Sequence, residues 1–524
     1  MDDEVPIIPV RQCDSASGVS AGEGAADGVI LQKTYAGLRV LALAVFMGIW
    51  ADLLLRARPY GLNVPLWVCA LAACMWVLAR LHGRRLSPLQ HGLLAAACVF
   101  SAMLAWRDAQ MLRALDLGAA VIALALAAVP ESLMGAPLTR AGFIQYARSA
   151  GMAALKGVEG AGELVMKDIR WTAIPGEGTA GQFKAAGLGI LVTLPVLAVF
   201  GVLLTRADAA FESTLTGLFQ FDAATLMTHG LVLFTGAWVS AGLLRLLVPL
   251  FAPKVPDGFL APPKWSLNSL TVCIPLALTN LLFLSFIAVQ LQQLFGGHAW
   301  VQNPDGPTYS EYARRGFIEL AMVVSLALPL LLISDWSLRD ESKGGRRVFR
   351  GLSAATLLML LVISASALHR MALYMDAYGL TRLRFYTTAF MLWLIVLTLW
   401  FAVTILRERG QHFTFGVLVT GLVAILVLNV ANPDWCIAQT NLKRTQEGKK
   451  IDGDYLMTLS ADATAAFLSM PVTSIQGREQ KIDPAFRWFH RELPAPSGDI
   501  RTWNWSRSHG RQIMKPPQEG QQPG

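Results

Sequence analysis

Long apolar runs set the pattern of this chain. From about residue 37 onward, stretches of roughly 20 apolar residues recur with few charges inside them, the length a helix needs to cross a hydrocarbon core of about 30 Å. The predicted spans cover 37–55, 64–81, 91–106, 115–133, 186–204, 227–250, 267–294, 316–333, 349–368, 385–406 and 413–430. Transmembrane strands would instead alternate in segments of about 10 residues, and these runs do not alternate. Backbone groups in lipid must find partners within their own segment, which leaves helices. The expected fold is all-α: a polytopic transmembrane helix bundle of about 11 spans.

The polar stretches complete the plan. Residues 1–36, with the run SASGVSAGEGAADG, lack the basic start and short apolar stretch of a signal peptide and are expected to be a disordered cytoplasmic leader. After spans one to four (37–133), residues 134–185 hold amphipathic pieces such as RSAGMAALKGVEGAGELVMKDIRW, suited to a membrane surface. Spans five to eleven follow over 186–430. Residues 431–524 form a polar tail of short predicted helices: DGDYLMTLSADATAAFLSM, PAFRWFHREL and RTWNWSRSHGRQIM, with a disordered end. In the first of these, Tyr455, Leu456, Leu459 and Ala463 share one face.

Charge orients the bundle. The loops after even-numbered spans carry about 18 Lys and Arg, against about 8 to 10 in the opposite loops. The positive-inside rule then places the N-terminus in the cytoplasm and, with an odd span count, the tail outside. The expected location is a bacterial inner (plasma) membrane. Composition agrees: 54% hydrophobic, 15% charged and net +8, with a mean hydropathy of +0.47. The basic residues are scattered between spans, which argues against nucleic-acid binding. The six Cys form no CxxC pair and read as small packing residues.

Chemistry is sought among the ionisable groups, because a charge at a helix centre in lipid costs about 2.5–3.5 kcal/mol. Asp52, His229, Glu319 and His369 approach the predicted outer face; Arg245 lies near an inner end and Asn280 mid-span. Two stretches are richest. TYSEYARRGFIEL supplies Tyr309, Glu311, Tyr312, Arg314, Arg315 and Glu319, with Glu311, Arg315 and Glu319 on one helical stripe. HRMALYMDAYGLTRLRF supplies His369, Arg370, Tyr374, Asp376 and Arg384. Together they suggest a polar cavity open to the outside, where Arg contacts an anionic group and Tyr offers a stacking face. The plainer alternative is a set of interfacial anchors, with Tyr at headgroup level and Arg snorkelling. Pro195, Pro275 and Pro329 predict kinks, and Asn280 an interhelical hydrogen bond. There is no GxxxxGK[ST] loop, HExxH or GxSxG, and the eight His are dispersed, so no metal or cofactor is expected.

The segments TYSEYARRGFIELAMVVSLALPLLL, RMALYMDAYGLTRLRF and DGDYLMTLSADATAAF resemble a bacterial multi-pass membrane family, domain of unknown function 4173, whose relative is domain of unknown function 4153. The resemblance covers roughly residues 185–467 and implies a multi-pass helical protein with no assigned activity or cofactor.

The leading expectation is binding or transport of a small polar or anionic ligand through an outward-facing cavity among spans six to ten. The second is a signalling or envelope-assembly protein that engages an envelope partner through its tail. An enzyme acting on envelope substrates ranks last, because a carboxylate beside Arg is better suited to a charge clamp than to a general acid.

Overall fold

The structure is a computed structural model. It describes residues 17–130, 137–173, 223–251, 267–295, 317–338, 343–405, 412–449, 452–468 and 498–514, with isolated positions between 189 and 208 and at 407. The helices are α1 (Ser17–Leu55), α2 (Asn63–Leu81), α3 (Pro88–Trp106), α4 (Gln110–Ala128), α5 (Phe143–Glu163), α6 (Ala223–Arg245), α7 (Ser269–Phe295), α8 (Phe317–Ser337), α9 (Lys343–Tyr378), α10 (Arg382–Ile405), α11 (Phe413–Ala431), α12 (Pro433–Gln446), α13 (Gly453–Met457), α14 (Thr464–Leu468) and α15 (Trp505–Met514). No strand occurs among the described residues. Nine of these helices are long and apolar enough to cross a membrane, and α8 occupies the predicted eighth span. This is a polytopic helical membrane protein. The fifth predicted span and the PAFRWFHREL segment lie outside the described residues.

Two differences from the sequence reading are geometric. Helix α1 begins at Ser17, so residues 17–36 continue the first span as helix instead of forming a coiled leader. Helix α9 has 36 residues, about 54 Å at 1.5 Å per residue, well beyond the hydrocarbon thickness. Residues 369–378, expected as a loop, are the last turns of this helix. The link to α10 is only 379–381, turned by Gly379 at φ +79°.

The chain forms two compact units. The first comprises residues 1–56, 73–85 and 153–253. Here α1 and α6 pack through small residues: a Cβ on Gly236 would lie 2.6 Å from the Ala51 Cβ, and one on Gly48 2.6 Å from the Leu233 carbonyl. Such close approach is how helices gain van der Waals contact in lipid. The amphipathic helix α5 docks on α6 the same way, because a Cβ on Gly242 would overlap the Gly157 carbonyl. Arg245, buried at the end of α6, is held by Asp168 (Nε–Oδ2 2.6 Å) and Glu163 (Nη1–Oε2 3.0 Å). Asp52 and His229 also meet across α1 and α6, Oδ2 to Nδ1 at 2.7 Å, with Arg56 against the imidazole.

The second unit comprises 57–72, 86–152 and 254–524. Helices α7 to α10 surround a core that includes Leu276, Leu331, Phe349, Leu360, Met391 and Phe401. Helix α11 packs Leu422 and Ile425 against Phe100, Ala119 and Ala120 of α3 and α4. Asn280 of α7 donates to the Leu352 carbonyl of α9 (2.9 Å) and accepts from Thr356 (2.6 Å), so this mid-span amide is an interhelical hydrogen bond. The Gln90 side chain donates to the Ala127 and Val129 carbonyls at 3.1 and 3.2 Å, satisfying the open end of α4.

Candidate functional site

The tail folds onto one end of the second unit. Asn432, in the left-handed region at φ 53°, caps α12 by accepting from Trp435 N, with Pro433 at the first helical position and Asp434 in the first turn. Ile437, Leu442, Leu456, Leu459 and Ala463 then form a small core with Leu380 and Phe385 beside it. Of the face expected for DGDYLMTLSADATAAF, Leu456, Leu459 and Ala463 are buried and Tyr455 is half-buried. The helix itself stops at Met457, and the Ser460 hydroxyl caps the next turn by accepting from Asp462 N.

Polar groups hold this tail to the helix ends. Arg382 pairs with the fully buried Asp434 at two points, 2.9 and 2.6 Å. Arg444 donates to the last carbonyls of α9, at Met375 (2.9 Å), Ala377 (3.1 Å) and Asp376. Asn441 exchanges hydrogen bonds with Leu380, N–H to Oδ1 at 2.9 Å and Nδ2 to carbonyl at 2.7 Å. Farther along, Asn504 donates to the Leu104 and Arg107 carbonyls at the end of α3, at 3.0 and 2.9 Å. Arg507 and Arg113 both donate to the Tyr60 carbonyl, at 2.7 and 3.0 Å.

At the centre stands Asp462. Its Oδ2 accepts the backbone N–H groups of Asp108 and Ala109, each at 2.8 Å, where α4 begins. A carboxylate at a helix N-terminus is electrostatically favoured there. Its Oδ1 is buried, accepts no hydrogen bond among the described residues, and lies 3.8 Å from Nη1 of the buried Arg107. Arg107 in turn donates from Nε to the Asn429 carbonyl (2.8 Å), and Asn429 donates to the fully buried Asp116 of α4 (2.7 Å). A polar track thus runs from inside the helix bundle to the tail. Burial pushes the Asp462 carboxyl above the usual range, opposed by the neighbouring Ser506 hydroxyl, the two amides and the charge of Arg107.

Arg107 and Asp462 line a cavity of about 310 Å³ walled by α11, α12 and α15, with Trp435, Trp505, Ser506 and His509 around it. Trp505 and His509 stack, ring centroids 4.7 Å apart. Open volume, aromatic walls and a few polar side chains converging on it make this the candidate binding site.

Those of the sequence-predicted residues that are described lie elsewhere. Tyr309, Glu311, Tyr312, Arg314 and Arg315 are outside the described residues. Glu319 is exposed in the first turn of α8. His369 is exposed and Arg370 half-buried on α9. Arg384 donates to the Tyr378 carbonyl at 3.1 Å and its guanidinium sits 4.1 Å from the Tyr374 ring centroid. Asp376 pairs with Lys449 at 2.7 Å on the surface. None of the described ones lines the 310 Å³ cavity.

A family model described as a domain of unknown function, DUF4153, matches residues 94–470. The chain belongs to the DUF4153 family. This is the relative of the family that the sequence segments suggested; membership of domain of unknown function 4173 itself is not shown. No curated protein and no solved structure matches this DUF4153 chain. The match begins within α3 and ends just past α14. In this DUF4153 protein it takes in Arg107, Asp116, Asn429, Asp434 and Asp462, while Trp505 and His509 lie beyond it.

Proposed function

We propose that this protein is a bacterial inner-membrane protein that binds a small polar ligand at the end of its helix bundle facing out of the cytoplasm, in the cavity roofed by the tail. The observation that carries this reading is the cavity itself: about 310 Å³, lined by the buried Arg107 and Asp462 and by Trp435, Trp505, Ser506 and His509. The charge asymmetry of the loops supports the outward orientation. Binding is favoured over ion-coupled transport because the mid-span Asn280 is satisfied between helices rather than open to a path.

A second reading, an assembly protein acting through its tail, draws on the exposed Ile500, Trp503 and Trp505. The first reading is tested with the full chain in nanodiscs. Labelling of a cysteine placed at Trp503 from the outside only, together with ligand-dependent thermal stabilisation lost in Asp462→Asn, supports it. Labelling from the cytoplasmic side overturns the orientation. Stabilisation unchanged in Asp462→Asn overturns the site.

A further inference from the structure

The cavity continues into the uncovered face of α11. Val430 lines it and is 68% exposed. On the same helix Val419, Val423, Leu426 and Val427 are exposed as well, at the three- and four-residue spacing of one face. From Val419 to Val430 that stripe rises about 17 Å at 1.5 Å per residue, a little over half of a hydrocarbon core of about 30 Å. It has the length of one leaflet, and it ends in the cavity. A lipid chain lying along the stripe brings its polar end into the space under the tail.

The reachable polar groups in that space are donors. Trp435 is half-buried and Trp505 is 42% exposed. Neither indole N–H has a partner among the described residues, and an indole only donates. The exposed His509 ring, stacked on Trp505, carries an N–H in either tautomer. Asp462 takes no part, because its unbonded Oδ1 is covered by protein. Such walls suit a partner rich in acceptors, and a phosphate diester has acceptors alone. Indoles also belong at headgroup level, where an apolar body and one polar N–H are both satisfied. The volume of about 310 Å³ holds a headgroup and leaves the chains outside, along α11.

We infer that the cavity between α11, α12 and α15 holds the phosphate diester of a bilayer phospholipid, with an acyl chain along the exposed face of α11 and the phosphate oxygens accepting from Trp435, Trp505 and His509. The inference rests on the reading of this cavity as a ligand site and names the ligand. The molecule enters from the membrane, along the helix, rather than from solution. The tail is then a clamp on a lipid headgroup.

The test uses the full chain in nanodiscs of equal parts phosphatidylglycerol, phosphatidylethanolamine and monoglucosyl diacylglycerol with the same chains, read by native mass spectrometry. The glycolipid keeps the glycerol and chains and lacks the phosphate. A second arm reads saturation transfer by NMR to glycerophosphoethanolamine, the diester without chains. The expected result is one phospholipid of either kind retained per chain, in preference to the glycolipid. Ala465→Trp fills the cavity from an exposed lining position and removes no tie between tail and spans, so it should abolish retention. Trp505→Leu removes one donor and one aromatic wall and should weaken retention about 3- to 10-fold. Glycolipid retained as strongly as phospholipid overturns the phosphate assignment. Transfer to the soluble diester, lost in Ala465→Trp, with no lipid retained overturns the lipid and leaves the ligand site standing. A dimer without lipid gives the α11 face to a second copy and also overturns the lipid. Silence of every probe overturns both the lipid and the site. Phospholipid retained unchanged in both variants overturns the placement in this cavity.

Discussion

Arg382 grips Asp434 with two parallel hydrogen bonds, Nε to Oδ1 at 2.9 Å and Nη2 to Oδ2 at 2.6 Å. The pair joins the start of α10 to the first turn of α12, and the same carboxylate accepts the Ser460 N–H at 2.8 Å. It ties the spans to the tail. Replacing Asp434 by Asn removes the charge and leaves Arg382 without its counterion. Losing one partner of a fully buried pair costs about 3–5 kcal/mol. About a third of the Arg382 side chain is wet (33% exposed), so about 2–3 kcal/mol is expected. Thermal unfolding in nanodiscs measures it, and the Arg382→Asp/Asp434→Arg double variant should recover part of the loss.

Asp462 gives a pH signature. Burial holds its carboxyl above the ordinary value. Between the ordinary and the raised value, the native state keeps a proton that the unfolded chain has released. Stability must therefore fall as pH rises through that window, and level off above it. Melting curves from about pH 4 to about pH 8 should show that slope, with His509 and Arg107 as the neighbouring charged or titratable groups. Asp462→Asn should flatten the slope. Asp462→Ala, which strips both α4 amides of their acceptor, should cost about 1–3 kcal/mol more uniformly.

The docking of α5 on α6 depends on one missing methyl group. A Cβ at Gly242 would meet the Gly157 carbonyl, which is backbone and cannot turn aside. Gly242→Ala should destabilise the first unit by about 1–3 kcal/mol. It should also speed proteolysis within 143–168. Gly118→Ala on α4 is the control: its Cβ has no neighbour within 4 Å, so it should be neutral or stabilise by up to about 1 kcal/mol.

Asn280 sets a smaller scale. Its amide bridges Leu352 and Thr356 between α7 and α9. Polar interhelical bonds in membranes average about 0.6 kcal/mol and reach about 1.7. Asn280→Leu should lose no more than that in a thermal or denaturant titration, and a double cycle with Thr356→Val should return most of it as coupling. A loss several times larger would mean that Asn280 does more than join two helices.

The helical, membrane-spanning character was legible because it rests on run length and hydropathy, which need no tertiary knowledge. The Asn280 bond was legible for the same reason: a lone amide in lipid must find a partner. The site was not. Asp116 sits in the second turn of α4, but the predicted span began at Leu115, so a fully buried carboxylate read as a boundary residue. Arg107 counted only as one outer-loop charge, and its partner is 355 positions away with no local pattern to announce it. The start of α12 was readable in principle, from Asn432, Pro433 and Asp434 in a row. The aromatic segments farther on drew attention instead.

The tail also bears on how the spans are studied. Deleting everything after Ala431 would seem to separate a bundle function from a tail function. It would also remove Arg444 from the end of α9 and Asp462 from the start of α4. Loss of function after that deletion would therefore not identify the tail as a partner-binding arm. Point substitutions on its exposed face are the cleaner probe.

The carboxylate that settles the amides before α4 comes from 354 residues later in the chain. During synthesis the ribosome must finish α5 to α13, nine further helices among the described residues, before Asp462 emerges. Through all that time the fourth crossing waits in the bilayer with those amides open to whatever water or lipid headgroup is near. Maturation of an early span is thus timed by one of the late segments, and a chain cut short in between would carry its unfinished end into the membrane.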